Sequence, residues 1–141
     1  MLAPDLDGRT VLVTGSAKGV GREIALDLAA QGASVAGHYY SSEAAAVATA
    51  EEARDRGAPA ATTVQGDVTD EASVDALFEA VEADLGAVDV LVNNVGDFAP
   101  VHWEDLDVAT WHRILDTNLT GTYLCTRRAL PAMRDQAWGR V

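Results

Sequence analysis

The sequence predicts an α/β fold, a doubly wound parallel sheet within a single domain, and three observations lead to this prediction. Short apolar segments of strand length alternate with longer segments whose apolar residues recur at helical spacing. A glycine-rich turn, T-G-S-A-K-G-V-G at 14–21, joins the first strand to the first helix. No repeat, linker or low-complexity segment interrupts the alternation. Strands that alternate with helices require right-handed crossovers, which place helices on both faces of a parallel sheet.

The spacing of apolar residues gives the elements in order. Strands are predicted at 10–14, 33–40, 60–65 and 88–92, and helices at 20–31, 43–56 and 74–85. Gly32, Gly57 and Gly86 stand just past the three helices, where glycine commonly ends a helix. Ser41 and Ser42 can cap the second helix. The fourth strand, V-D-V-L-V, is apolar enough for the interior of a parallel sheet.

A long helix from about 108 to 133 is the last predicted element, and Pro131 is expected to kink it or end it early. Asn118 is predicted to lie beside a buried face, because six residues around it form a stripe at helical spacing: Trp111, Ile114, Leu115, Leu119, Thr122 and Tyr123. Three acids form a charge cluster at the start of this helix: Glu104, Asp105 and Asp107. Cys125 is interpreted as a packing residue on the same helix.

Composition excludes several classes of function. The 141 residues are 48% hydrophobic and 23% charged, which is a globular composition, and no apolar run reaches membrane-spanning length. The 10 basic and 22 acidic residues give a formal net charge of −12, which disfavours nucleic acid and anionic membranes as partners. The N-terminus lacks the basic and apolar regions of a signal peptide, and a single cysteine excludes an internal disulfide, so a cytoplasmic location is expected. The three histidines lack metal-ligand spacing, so no metal site is expected.

Distinctive residues follow three of the four predicted strands: Thr14-Gly15, Asp67-Val68 and Asn93-Asn94. In open parallel sheets, ligands bind beyond the carboxyl ends of the strands. The glycine turn opens a helix whose free N–H groups suit a phosphate, although a turn with nothing bound fits the same pattern. Asp67 could equally be a turn or cap residue, and the asparagines could satisfy backbone groups in a buried turn.

Together these motifs resemble the short-chain dehydrogenases/reductases: T-G-S-A-K-G-V-G at 14–21, D-V at 67–68, N-N-V-G at 93–96 and Asn118 in a long helix. Within that family the chain is most similar to the 3-oxoacyl-acyl-carrier-protein reductase type. The resemblance covers the whole chain and implies a Rossmann-type sheet with strand order 3-2-1-4. It also implies that G-R-V at 139–141 opens the fifth strand, so that 1–141 is an NAD(P)-binding domain truncated at that point.

The resemblance implies a cofactor site at the strand ends. It assigns contacts with the adenosine ribose and pyrophosphate to the glycine loop: Gly15, Ser16, Ala17, Lys18, Gly19, Val20 and Gly21. It assigns the carboxylate of Asp67 to the adenine amino group and the backbone of Val68 to the adenine ring. It places the N-N-V-G residues beside the nicotinamide-side ribose: Asn93, Asn94, Val95 and Gly96. Val95 replaces the alanine usual in the family.

Two features predict a preference for NADP(H), with NAD(H) also possible. Lys18, the only lysine, supplies a cation where a ribose 2′-phosphate needs one, although it could also be a solvated loop lysine. The end of the second strand carries His38, Tyr39, Tyr40 and Ser41 and no carboxylate to bond a 2′-hydroxyl. Either tyrosine could flank the adenine and Ser41 could bond phosphate, or the tyrosines could be ordinary strand-edge aromatics.

The resemblance makes Asn118 the helix member of an Asn-Ser-Tyr-Lys tetrad, holding a water that links the lysine to a proton relay. The alternative is an asparagine satisfied within the core. The serine and the Tyr-x-x-x-Lys of the family are absent from residues 1–141. His102 and Trp103 follow the fourth strand as candidate substrate contacts.

The expected function of the full-length protein is NADPH-dependent reduction of a carbonyl to a secondary alcohol, with a 3-oxoacyl thioester as one substrate. The full-length protein is expected to be a homo-oligomer, a dimer or a tetramer. The alternatives are an inactive dinucleotide-binding fragment and a structural subunit that uses the long helix.

Overall fold

Four parallel strands form one sheet in this computed structural model, which describes residues 5–98 and 100–141. The strands are β1 (Thr10–Val13), β2 (Ser34–Tyr39), β3 (Ala61–Gln65) and β4 (Val90–Val92). Their order is β3-β2-β1-β4, and all three pairings are parallel. The predicted fold class and strand order are confirmed. Residues 1–4, on which the signal-peptide expectation partly rests, lie outside the described residues.

The first three helices lie within three residues of their predicted bounds at each end, and the predicted long helix consists of two α-helical segments. The helices are α1 (Gly19–Ala30), α2 (Glu43–Arg56), α3 (Glu71–Leu85), α4 (Val108–Leu115) and α5 (Gly121–Asp135). Helix α3 begins earlier than its apolar stripe because the Asp70 carboxylate accepts a hydrogen bond from the Ser73 amide at 2.8 Å. A 3₁₀ turn (Trp103–Asp105) precedes α4, and Asp107 caps α4 by accepting from the Thr110 amide at 2.7 Å. The hydrogen bonding from Thr110 holds the pKa of Asp107 below its ordinary value.

Two apolar layers cover the two faces of the sheet. Successive residues of β1 point to opposite faces, so Leu12 packs with α3 and α5, whereas Val11 and Val13 pack with α1 and α2. The first layer is built on Phe78, which is fully buried. The second contains many alanines, whose small side chains let α1 and α2 pack closely on the sheet. The predicted helices on both faces are therefore present.

Strand β4 begins two residues later than predicted. The Asp89 amide still donates to the Thr10 carbonyl at 2.9 Å, but the Thr10 amide bonds to the Asp89 side chain and not to a backbone carbonyl. The Asp89 carboxylate is nearly buried and accepts bonds from the Thr10 amide at 2.9 Å, from Gln136 at 2.9 Å and from Arg9 at 3.2 Å. On the side of β4 away from β1, Arg140 forms a parallel bridge with Val90. The sheet therefore continues past β4 at the last residues of the chain.

The long helix differs from its prediction in two respects. It runs through Pro131 to Asp135, so the expected early end is wrong; the buried residues Leu124, Ala129 and Met133 hold this segment against the first apolar layer. The predicted buried stripe is also wrong, because four of its members are exposed: Trp111, Leu115, Leu119 and Tyr123. A π-helical turn (Asp116–Thr120) joins α4 to α5 and adds a residue, which rotates everything after it by about 100°. Trp111 and Leu115 precede this turn, so it does not explain their exposure; beyond the π turn, no described helix or strand packs substantially against α4.

Candidate functional site

A cleft of about 670 Å³ opens at the carboxyl ends of the strands. Eleven of the predicted cofactor residues line it: Gly15, Ala17, Lys18, Tyr39, Tyr40, Ser41, Asp67, Val68, Asn94, Val95 and Gly96. Seven further residues line it without having been predicted: His38, Ser42, Gly66, Thr69, Arg113, Asp116 and Thr117. The remaining predicted residues lie outside the lining: Ser16, Gly19, Val20, Gly21, Asn93 and Asn118. The topology thus brings the three motifs to one edge of the sheet.

Thr14 connects the end of β1 to the loop after β4, and this side chain was missed as a site residue. Its buried hydroxyl accepts bonds from the amides of Asn94 at 2.9 Å and Val95 at 3.2 Å, and it donates to the Val92 carbonyl at 3.3 Å. One hydroxyl therefore satisfies three backbone groups where two strands end. The only sequence signal was its place directly before Gly15.

The Asn94 side chain bonds to the glycine loop, whereas Asn93 does not line the cleft. The Asn94 amide donates to the carbonyls of Thr14 at 3.0 Å and Gly15 at 3.1 Å. The Asn93 amide donates instead to the Thr126 hydroxyl at 3.1 Å, which attaches the end of β4 to α5. The Asn94 side chain thus has the backbone-satisfying role that was one of the two sequence interpretations, whereas the Asn93 side chain bonds to another side chain.

Gly15 and Gly21 are required for different physical reasons. Gly15 has a φ of +67°, in the left-handed region that favours glycine. Gly21 lies in the first turn of α1, where an added Cβ would stand 2.3 Å from Asn94 Nδ2 and 2.5 Å from the Gly15 carbonyl oxygen. Gly21 therefore lets α1 begin directly against the loop.

His38 is buried in β2 and connects the ends of the two neighbouring strands. Its Nδ1 accepts from the Gly15 amide at 3.1 Å, and its Nε2 lies 2.9 Å from the Gly66 carbonyl oxygen. These partners assign the neutral tautomer with the proton on Nε2. Burial lowers the pKa of His38, and this outweighs the Gly66 bond and the charge of Asp67, which both raise it.

The start of α1 has the donors that a phosphate requires. Lys18 is the N-cap in extended conformation, and no side chain caps the first N–H groups of the helix. Beneath the loop, Ser16 Oγ is buried and has no hydrogen-bond partner among the described residues. Free helix N–H groups beside a lysine fit the pyrophosphate and phosphate groups of a dinucleotide.

The opposite wall of the cleft holds Tyr39 and Asp67. Partial burial raises the pKa of Tyr39, and so does the neighbouring Glu43 carboxylate. Asp67 Oδ1 accepts from the amide of Thr69 at 2.9 Å and from its hydroxyl at 2.7 Å, which is the turn role considered for it. Ser42 is the N-cap of α2, but its side chain makes no capping bond and lines the cleft instead.

Asn118 lies in the π turn with its side chain fully used. Its Oδ1 accepts from the Asp97 amide at 3.2 Å, and its Nδ2 donates at 2.9 Å to the carbonyls of both Asp97 and Ile114. Asp97 also forms an ion pair with Arg113. The side chain is thus a satisfied asparagine that attaches the loop after β4 to the helix, and its tetrad role stays a prediction.

The remaining candidates lie outside the cleft. His102 and Trp103 do not line it, and the Trp103 side chain is exposed. Cys125 is buried, which raises the pKa of its thiol to about 11 and leaves it a packing residue. Among the described residues, no three acidic, histidine or cysteine side chains are placed to hold one metal ion.

A parallel sheet with a glycine-rich loop at the start of α1 and a cleft at its carboxyl edge defines a Rossmann-type nucleotide-binding domain. The chain belongs to the short chain dehydrogenase family, whose family model matches residues 9–141. Members of this family are NAD(P)-dependent oxidoreductases.

Individual proteins support the assignment. A 3beta-hydroxysteroid dehydrogenase 1 from Eggerthella lenta is 39% identical over 132 residues, which is 94% of this chain and 50% of that protein. A 3-oxoacyl-acyl-carrier-protein reductase from Staphylococcus aureus is 36% identical over 133 residues, covering 94% of this chain and 54% of the relative. A double variant of a Serratia marcescens short-chain dehydrogenase/reductase superposes with a TM-score of 0.84 at 28% identity, covering 90% of this chain and 51% of that one.

The chain spans about half the length of the curated relatives it matches. None of the described helices combines the length and apolar character that crossing a membrane requires.

Proposed function

We propose that the full-length protein is a cytoplasmic, NADP(H)-dependent oxidoreductase that reduces a carbonyl to a secondary alcohol, with this chain holding the dinucleotide. The bound cofactor would supply the hydride, while this chain orients the dinucleotide and excludes water from the cleft. The names of the two relatives denote a hydroxysteroid dehydrogenase and an oxoacyl reductase, which supports an alcohol–carbonyl pair as the substrate class. A 3-oxoacyl thioester is the substrate we propose to test first.

The position of Lys18 carries the proposed preference for NADP(H). Lys18 lines the cleft, and no carboxylate of the described residues lies within ion-pair distance of it. Arg22, one turn along α1, is instead paired with Glu23 and Glu52. The charge of Lys18 is therefore available to a ribose 2′-phosphate, whereas that of Arg22 is compensated.

Glu43 is the first acid after β2 in the chain, and its position supports the same preference. A free carboxylate there would repel a 2′-phosphate and bond the 2′-hydroxyl of NAD(H). Glu43 acts on Tyr39 and is not part of the cleft lining, whereas Ser41 and Ser42 line the cleft. The cleft wall therefore offers donors at this position.

Replacing Lys18 with alanine is expected to weaken NADPH binding about 10- to 100-fold, because a charge-assisted phosphate contact contributes about 1.5–3 kcal/mol. NADH binding should change by less than about threefold, since NADH has no 2′-phosphate to pair. Arg22→Ala is the matched control and should leave the NADPH/NADH ratio unchanged. Fluorescence titration of both reduced dinucleotides measures the ratio, and oxidation of NADPH with a 3-oxoacyl thioester measures turnover. A wild-type protein that binds NADH more tightly than NADPH would contradict the preference.

We propose a homo-oligomer that uses the helix α4–α5. Four large apolar side chains stand exposed along one helix: Trp111, Leu115, Leu119 and Tyr123. Burial of such a stripe favours association. Sedimentation velocity at micromolar concentration should give a dimer or tetramer, and Leu119→Glu should shift it towards monomer. A monomeric wild-type protein would contradict this part of the proposal.

A further inference from the structure

His38 occupies a position where one side chain joins three strands at the cleft. It extends from β2, its Nδ1 accepts from Gly15 at the end of β1, and its Nε2 donates to Gly66 at the end of β3. The main chain adds to this connection, because the Ser16 amide donates to the His38 carbonyl at 3.0 Å. The imidazole therefore connects the glycine loop directly with the turn that carries Asp67.

The neutral form of the imidazole is the only one that can make both bonds. Gly15 presents an N–H and Gly66 presents a C=O, so His38 must accept at Nδ1 and donate at Nε2. A protonated ring carries hydrogen on both nitrogens, and its Nδ1–H would then face the Gly15 N–H. Two donors that face each other cannot remain at 3.1 Å, so protonation requires the glycine loop to move away.

We propose that His38 is a positioning residue for the dinucleotide cleft. Its neutral imidazole holds the glycine loop in the arrangement that binds the dinucleotide, and its protonation displaces that loop. The inference rests on the proposed dinucleotide binding for its functional consequence. His38 touches no reacting atom in this account; it acts through the backbone of Gly15 and Gly66. The consequence is that affinity for the dinucleotide falls in mildly acidic solution.

The charges around the ring set the direction of the effect. The titratable side chains of the cleft are Asp67 after β3, Lys18 on the glycine loop, Tyr39 and Tyr40 at the end of β2, and Arg113 and Asp116 on the long helix. Burial of the ring opposes protonation and dominates, whereas the Gly66 bond and the charge of Asp67 favour the protonated ring. Because the pKa of His38 is lower in the folded than in the unfolded chain, stabilisation is complete above about pH 6.5 and is lost as the pH falls through the folded-state pKa.

Imidazole nitrogen NMR of the wild-type protein tests the inference without any substitution. In histidine labelled with ¹⁵N, His38 is expected to show the neutral form with the proton on Nε2 and to titrate below the ordinary value of 6.5. A ring protonated on Nδ1, or one that titrates at or above 6.5, would overturn the inference. This readout does not depend on the dinucleotide, so it decides the point even if neither NADP⁺ nor NAD⁺ binds and the proposed function fails.

Two amide variants separate the two bonds. The Oδ1 of His38→Asn can replace Nδ1 as the acceptor for Gly15, whereas the Nε2 of His38→Gln can replace the donor to Gly66, and neither amide titrates. We expect H38N to bind NADP⁺ within about fivefold of wild type at pH 7.5 and H38Q to bind at least about tenfold more weakly. Between pH 7.5 and 5.5, wild-type affinity should fall further than that of H38N, by up to about tenfold for a pKa below 6.5. The H38N profile corrects for titration of the ligand phosphate. Parallel pH profiles of wild type and H38N, measured by calorimetry with NADP⁺ and NAD⁺, would refute the role of His38.

Discussion

Gly21→Ala is expected to lower the free energy of unfolding by about 3–5 kcal/mol and to abolish measurable dinucleotide binding. The new Cβ would stand 2.3 Å from Asn94 Nδ2 and 2.5 Å from the Gly15 carbonyl oxygen. The backbone oxygen cannot rotate away, and moving the Asn94 amide breaks its bonds to Thr14 and Gly15. In the interior of an ordinary helix, replacing glycine with alanine raises the free energy of unfolding by up to about 1 kcal/mol. At Gly21 the clash therefore determines the sign of the change.

Gly19→Ala is the matched control for this prediction. Gly19 belongs to the same loop and has a φ of +61°, but an added Cβ there meets no atom within 4 Å. Its cost is therefore backbone strain alone, about 1–2 kcal/mol. Urea unfolding gives the stabilities and titration with NADPH gives the affinities. If G21A unfolds within about 1 kcal/mol of wild type, the contact between α1 and Asn94 is not close enough to require glycine.

Thr14→Val should have an effect of similar size through lost hydrogen bonds. Valine keeps the shape but offers no acceptor, so the amides of Asn94 and Val95 lose the Thr14 hydroxyl in a partly buried turn. Each such loss costs about 1–3 kcal/mol, which gives about 2–6 kcal/mol in total. The Val92 carbonyl stays satisfied because the Thr14 amide also donates to it at 3.0 Å.

Thr14→Ser separates the hydroxyl from the methyl group. Serine restores the acceptor and loses one methyl, so about 1 kcal/mol is expected from denaturant unfolding. NADPH affinity should follow stability, since both depend on the loop after β4 staying against the end of β1. Equal losses in T14V and T14S would show that the methyl contact matters and the hydrogen bonds do not.

Local patterns were sufficient for most of the architecture. The apolar periodicity of α3 and the glycines after α1, α2 and α3 place those elements correctly because period and turn chemistry are properties of neighbouring residues. Strand β4 begins at Val90, next to an Asp89 carboxylate that bonds to the Thr10 amide, and no local pattern records this contact between residues 79 positions apart. The predicted burial of the stripe around Asn118 was wrong for a related reason: no described element covers Trp111 and Leu115, and packing partners are set by the tertiary structure.

For the candidate site, the sequence by itself determined which segments meet at the cleft. Motifs after three parallel strands must share one edge of the sheet, and eleven of the predicted residues do line the cleft. Only the tertiary structure decided what each side chain does there. Thr14 and His38 act through bonds whose partners are set by the order β3-β2-β1-β4 and by strand register. Such bonds join residues far apart in the chain, so the residue types alone could not assign them.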